Sequence, residues 1–308
     1  MSGAALTGWG AALPDKVVTN DDLAAYLDTS DQWIRERTGI RERHIGGTTT
    51  ELAVDAARAA LARAGLQPAD IDLVVLSTTT PDQMVPGNSA EISARLGTAG
   101  GAMDVNAACA GFVYALVAAH GLLGRGIEKA LVIGSDTLSR ITDWDDRSTA
   151  VLFGDAAGAV VMEHTGGADQ LLGWDLGVDG TARRFLYCDH GSTLYMEGRE
   201  VFRRAVRAVV SSCEKTLQRA GVDGSQVALC VPHQANIRII EAANERLGIP
   251  MDRTAIALDR TGNTSSASVP LALAEAADEG RVADGDLVLL CGFGAGMTWS
   301  SAVLRWGK

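Results

Sequence analysis

The chain reads as an α/β protein built from two related halves, and three observations carry that expectation. Short β-rich runs alternate with helical ones along the whole length. The β-rich runs are apolar throughout, as strands covered on both faces must be. The order of motifs in the first half returns in the second.

Each element follows from local pattern. LVVL (73–76), LVI (131–133), AVVM (159–162), VALCV (227–231) and LVLL (287–290) are short and rich in β-branched residues, so they predict strands. Apolar residues at helical spacing predict helices over 53–64, 90–96, 202–220 and 237–247. In the first half IDLVVLSTTTPDQ (71–83) leads to RLG (95–97), MDVNAACAG (103–111) and ALVIGSD (130–136). In the second, SQVALCVPHQAN (225–236) leads to RLG (246–248), ALDRTGNTSSAS (257–268) and DLVLLCGFGAG (286–296). Each reads strand, polar loop, helix, Arg-Leu-Gly, strand, small-residue turn, apolar helix, strand. The halves divide into 1–165 and 166–308, with Cys109 and Asn263 at equivalent positions and His233 facing them from the end of another strand.

The bulk numbers narrow the function. With 308 residues, 47% hydrophobic and 21% charged, the chain has ample material for a large core. Lys and Arg total 27 against 38 Asp and Glu, a net charge of −11, which repels phosphate backbones and argues against nucleic-acid partners. No apolar run approaches the ~18 residues of a membrane helix, and the N-terminus lacks the basic start and apolar block of a signal peptide. The five cysteines are scattered with no CxxC and no metal-ligand spacing, so reduced thiols in a cytoplasm and no metal are expected.

Three residues suggest chemistry. Cys109 precedes a stretch, 112–118, without a polar face, so the helix it opens should be buried centrally. Unpaired N–H groups and the helix dipole there favour an anion, which predicts a lowered thiol pKa. Ala107, Ala108, Ala110 and Gly111 leave room for a substrate. His233, in VPHQAN, follows a proline that ends a strand. Asn263, in DRTGNTSSASVP, follows a glycine turn and precedes a capping run. Singly, these read as a buried thiol, a hydrogen-bonded histidine and a helix cap. Together, Cys with His suggests acyl transfer, and Asn beside His offers two donors to a carbonyl that becomes an enolate. A protease uses the same residue types, so the reaction stays open at this level.

The motifs TSDQWIRERTGIRERHI (29–45), DVNAACAGFVYAL (104–116), DRSTAVLFGDAAGAV (146–160), VPHQANIRII (231–240), LDRTGNTSSASVPLAL (258–273) and GFGAGMTWSSA (292–302) resemble those of the β-ketoacyl-acyl-carrier-protein synthase III family, condensing enzymes of the thiolase superfamily. They stand in the same order and span essentially the whole chain. The resemblance implies a thiolase-like five-layer αβαβα fold, a homodimer, no cofactor, and a cytoplasmic acyltransferase that starts fatty acid or polyketide synthesis. Cys109 would be acylated by acyl-CoA, and malonyl-acyl carrier protein would then condense decarboxylatively, giving a 3-oxoacyl product and CO2. His233 and Asn263 would hold the malonyl thioester oxygen, and the backbone N–H groups of Cys109 and Ala295 the acyl oxyanion. Phe293 would pack against the sulfur, and Asn236 would order water and pantetheine. Thr29, Trp33, Arg37 and Arg147 would bind CoA, with Arg199 in the same channel. Arg238 and Arg246 would meet the carrier protein.

The chain departs from the family pattern in places. Val85 stands where acetyl-preferring relatives carry an aromatic that reaches across the dimer, which predicts a starter larger than acetyl. The roof segment 183–198 is short, Arg199 replaces an amide, Glu245 replaces a basic residue and Met297 an aromatic. The rivals are an acyltransferase that forms no carbon–carbon bond, a starter-unit enzyme of a specialised polyketide pathway, and a non-catalytic partner subunit. Intact Cys109, His233 and Asn263 speak against the last.

Overall fold

A computed structural model describes residues 3–307. The first half runs β1 (Ala4–Ala12), β2 (Val17–Thr19), α1 (Asn20–Ala24), α2 (Asp31–Thr38), β3 (Glu42–His44), α3 (Thr49–Ala64), β4 (Leu73–Ser77), α4 (Asn88–Leu96), β5 (Gly101–Val105), α5 (Gly111–Leu122), β6 (Lys129–Thr137), α6 (Arg147–Ala150) and β7 (Asp155–His164). The second runs β8 (Leu171–Val178), β9 (Leu186–Tyr187), β10 (Tyr195–Met196), α7 (Gly198–Ala220), β11 (Val227–Pro232), α8 (Ile237–Leu247), α9 (Leu258–Thr261), α10 (Ser268–Asp278), β12 (Leu287–Gly294) and β13 (Thr298–Arg305). Every strand and helix given a residue range from the sequence is present, most of them extended by a few residues.

The duplication is visible in the sheets. The first has the order β1-β7-β6-β4-β5, the second β8-β13-β12-β11, and the strand directions correspond pair for pair. The strand expected after the second Arg-Leu-Gly is reduced to one bridge, Thr254 beside Cys230, in the place β5 holds in the first half. The repeated Arg-Leu-Gly has a plain cause. Gly97 and Gly248 end α4 and α8 in the left-handed region, at φ 84° and 68°, which glycine adopts without penalty.

Five layers result. α3 covers the outer face of the first sheet through Ala53, Ala57, Ala60 and Leu61 against Val74, Leu131 and Val161. α7 covers the second through Val206, Val209, Cys213 and Leu217 against Cys230, Leu289 and Val303. Between the sheets lie α5 and α10, whose Phe112, Leu116, Val269 and Leu273 join one core with residues of both. The central burial expected for the helix after Cys109 is thus met. Its Tyr114 hydroxyl donates to the Gly177 carbonyl at 2.9 Å.

Two turns lead into the middle helices, and they correct one equivalence. Ala108 and Ser265 both have left-handed backbones, φ 49° and 52°, and each amide donates to the side-chain oxygen of the asparagine two residues earlier, Asn106 or Asn263. A short 3-10 turn then enters α5 or α10. Asn263 therefore corresponds to Asn106, and Cys109 corresponds to Ser266. The sequence pairing of Cys109 with Asn263 is off by three residues, because composition alone does not reveal which residue takes the left-handed backbone.

Candidate active site

Each turn is seated on the opposite half. On β12, a side chain at Gly294 would lie 2.5 Å from the Cys109 amide nitrogen, and one at Gly292 3.1 Å from its carbonyl oxygen. Thr298 and Ser300 of β13 donate to the Ala107 and Ala110 carbonyls at 2.8 and 3.0 Å. On β6, a side chain at Gly134 would lie 2.3 Å from the Ser266 carbonyl oxygen. The Ser266 hydroxyl is within 2.7 Å of Asp136 Oδ2 and 2.9 Å of the Ser77 carbonyl. Asp136 is fully buried, and its other oxygen accepts from Thr78, Thr79 and Thr80. The glycines let two backbones approach as no other residue would, and the crossed hydrogen bonds lock the halves in register.

One cavity of about 860 Å³ opens between them, lined by Cys109, His233, Asn263, Asn236, Phe293 and Ala295 among others. Asn263 is held at its backbone by Leu152 and Gly154, at 2.8 and 3.0 Å. Its Oδ1 is taken by the Ser265 amide, so Nδ2, which has no protein partner among the described residues, is left for the cavity. His233 follows β11, its amide bound to the Cys291 carbonyl at 2.7 Å and its Nδ1 2.6 Å from Ser268 Oγ. Gln234, fully buried, pins this loop: its amide donates to the Pro232 and Ala255 carbonyls and accepts from the Ala257 and Leu258 amides. Phe293 meets the His233 ring edge-on, centroids 6.2 Å apart, and lines the same cavity as Cys109.

The thiol behaves against expectation. Burial pushes Cys109 up to about 12, and the nearby Asp136 carboxylate adds to the rise, while a hydroxyl of Ser265 opposes it. The direction is therefore opposite to the lowered thiol pKa read from the helix end, and its leading cause is desolvation. Burial also carries His233 down to about 3. At neutral pH the site holds a thiol and a neutral imidazole, with no ion pair between them.

The remaining expected residues lie outside the cavity wall. Trp33 carries the Arg37 and Arg147 guanidiniums over its ring at 4.4 and 4.9 Å. Arg147 also donates to the Asp28 carbonyl at 2.5 Å. Thr29 lies beside this cluster in sequence, its hydroxyl buried without a protein partner among the described residues. Asn236 links the cluster to the cavity: it caps α8 through Arg238 N–H and donates to the Arg37 carbonyl at 2.9 Å. Arg199 is exposed on the first turn of α7, next to cavity-lining Gly198. Arg238 and Arg246 are exposed, two turns apart on one face of α8, and Arg238 overlies Phe202 at 5.7 Å. Val85 is 85% exposed and does not line its own chain's cavity. The short segment 183–198 does line it, through Leu186, Tyr187, Cys188, His190 and Leu194. Ser268, Gln234, Ser266 and Asp136 were missed from sequence, since serines at a helix start read as caps.

This geometry agrees with what the chain is similar to. The family described as 3-Oxoacyl-[acyl-carrier-protein (ACP)] synthase III matches residues 103–180, and its C-terminal part matches 217–306. The chain is 47% identical to Beta-ketoacyl-[acyl-carrier-protein] synthase III 1 of Bacillus anthracis, over 98% of this chain and 99% of that protein. It is 50% identical to the synthase III of Xylella fastidiosa, over 98% of each. The structure of 3-oxoacyl-[acyl-carrier-protein] synthase III from Aquifex aeolicus VF5 superimposes with a TM-score of 0.96 at 43% identity, covering 99% of this chain and all of that one (100%). The chain belongs to the thiolase-like β-ketoacyl-acyl-carrier-protein synthase III family of acyltransferases.

Proposed function

We propose that the chain catalyses the condensation that opens fatty acid or polyketide synthesis, joining an acyl group from acyl-CoA to malonyl-acyl carrier protein. The observation that carries this reading is the meeting of Cys109, His233 and Asn263 in one cavity.

In the first stage the Cys109 sulfur attacks the acyl-CoA thioester. The carbon–sulfur bond to CoA breaks, and the thiol's proton ends on the departing CoA sulfur. The helix end behind Cys109 stabilises the sulfur as charge develops, and the Cys109 and Ala295 N–H groups receive the oxyanion. In the second stage His233 and Asn263 donate to the malonyl thioester oxygen while the bond to the carboxylate breaks. Its electron pair becomes the enolate, CO2 leaves, and the carbanion attacks the acyl-cysteine. Cys109 departs as thiolate and regains a proton from solvent. Retention of Asn263 supports condensation over simple acyl transfer, since its free amide has no other evident task.

Trp33, Arg37 and Arg147 suit the base and phosphates of CoA, with Thr29 and Arg199 beside the same path, and Arg238 and Arg246 suit an acidic carrier protein. Two copies would join through the first sheet, whose β5 is an edge strand with exposed residues. Val85, 85% exposed, would then enter the partner's acyl pocket. Val in place of an aromatic leaves room for extra methylenes, each worth about 0.8 kcal/mol of burial. We therefore assign a starter larger than acetyl, which keeps a polyketide starter enzyme as the alternative. The five cysteines are all unpaired, as a reducing cytoplasm keeps them.

The test is intact-protein mass after incubation with a panel of acyl-CoAs, followed by malonyl-acyl carrier protein and detection of CO2 and 3-oxoacyl product. Acylation without condensation would favour the simple acyltransferase. Higher kcat/KM with isobutyryl- or hexanoyl-CoA than with acetyl-CoA is expected, and Val85→Phe should reverse that order.

A further inference from the structure

His233 Nδ1 lies 2.6 Å from the hydroxyl of Ser268, and both residues are buried. The hydroxyl oxygen has two further polar neighbours: the Gln234 N–H at 3.3 Å and the Ser265 carbonyl at 2.8 Å. A hydroxyl offers one proton and two lone pairs. The Gln234 N–H can only donate, so it takes a lone pair. The Ser265 carbonyl can only accept, but the backbone N–H of Ser268 already donates to it. That carbonyl is therefore satisfied even when the hydroxyl turns away. The imidazole alone can play either part.

Two arrangements follow. With the hydroxyl donating to Ser265, Nδ1 must carry the ring proton, and Nε2 faces the substrate as a bare acceptor. With the hydroxyl donating to Nδ1, Nε2 carries the proton and faces the substrate as a donor. A neutral imidazole has one N–H, so the two exclude each other. Only the second lets His233 stand beside Asn263 Nδ2 as a second donor; in the first, a bare nitrogen would repel the enolate oxygen.

We propose that Ser268 is the positioning residue that selects the tautomer of His233, its hydroxyl donating to Nδ1 so that Nε2 presents its N–H to the malonyl thioester oxygen. The inference rests on the reading of His233 given above and deepens it. Because burial keeps the ring neutral, the place of its proton decides what it can do. The left-handed backbone at Ser265 and the buried amide of Gln234 bring the Ser268 oxygen to the ring.

The experiment labels the full-length protein with ¹⁵N-histidine and reads ring nitrogens by NMR, with His233→Gln assigning the resonances. The expected wild-type pattern is a bare Nδ1 and a protonated Nε2. In Ser268→Ala that pattern should be lost, Cys109 acylation should stay within about two-fold, and malonyl decarboxylation should fall ~10- to 100-fold. Ser268→Thr, which keeps the hydroxyl, should recover most of the loss. A protonated Nδ1 in the wild type overturns the proposal, as does Ser268→Ala that condenses normally or loses both half-reactions equally. The wild-type spectrum reports even where the Ala variant does not fold. Wild-type condensation by His233→Gln would instead defeat the underlying reading of His233, while the spectrum still reports the tautomer.

Discussion

The turn at Asn106–Ala110 and the turn at Asn263–Ala267 use one backbone device for opposite ends. Both place a left-handed residue two positions after an asparagine that caps it. Beyond that residue the first turn carries Cys109, which lines the cavity, and the second carries Ser266, which faces the interior and binds Asp136 and the Ser77 carbonyl. The asparagines differ in the same sense, since Asn263 is buried and Asn106 is exposed. On the proposed reading, one turn carries the nucleophile, while the other carries a strut at Ser266, a donor at Asn263 and, in Ser268, the residue that would orient the His233 donor. The lesson is that a duplicated backbone leaves chemistry to be decided by which side chain meets water and which meets a buried carboxylate.

The largest expected effect comes from exchanging the two residues. A Cys109→Ser, Ser266→Cys double variant should form no acyl adduct with any acyl-CoA by intact mass. A label at position 266 would mean that the turns are interchangeable. Next in size, Asn263→Ala should acylate normally and lose condensation by ~10²- to 10³-fold, the usual cost of one oxyanion donor. Asn106→Ala should show only the loss of a cap, about 1 kcal/mol in denaturant unfolding. Equal condensation defects in the two variants would erase the distinction drawn between them.

Ser266→Ala should act on stability. It removes one of the two Ser266 bonds to Asp136 Oδ2 and should cost ~1–3 kcal/mol in urea unfolding, with Cys109 acylation retained in the folded fraction. The last effect is in pH. His233 titrates near 6.5 when unfolded and about 3 when folded, so the unfolded chain binds the proton first. Stability from this residue is complete above about pH 6.5 and declines as pH falls toward 3. Melting temperatures at pH 7 and pH 4.5 should therefore differ less in His233→Gln than in the wild type.

Much was legible in the sequence. The strands LVVL and VALCV and the helices ending in Arg-Leu-Gly were found because periodicity and a terminal glycine are local signals. Cys109, His233 and Asn263 stand out because each sits in a distinctive motif, and all three line one cavity. The pairing of Cys109 with Asn263 was misjudged because it hangs on which residue adopts a positive φ. Ser268 escaped notice because a serine opening a helix already has a sufficient local explanation.

The sequence by itself determined the alternating α/β order, the repeat and the residues able to carry acyl transfer, since all of these are written in short-range pattern. Only the tertiary structure decided that Cys109 rests as a protonated thiol and His233 as a neutral ring. A helix end acts on its own first turn, and its pull on Cys109 could be read from neighbours in the chain. Desolvation is imposed by β12, β13 and α10 packed around the site, and their positions appear only when the two halves close on each other.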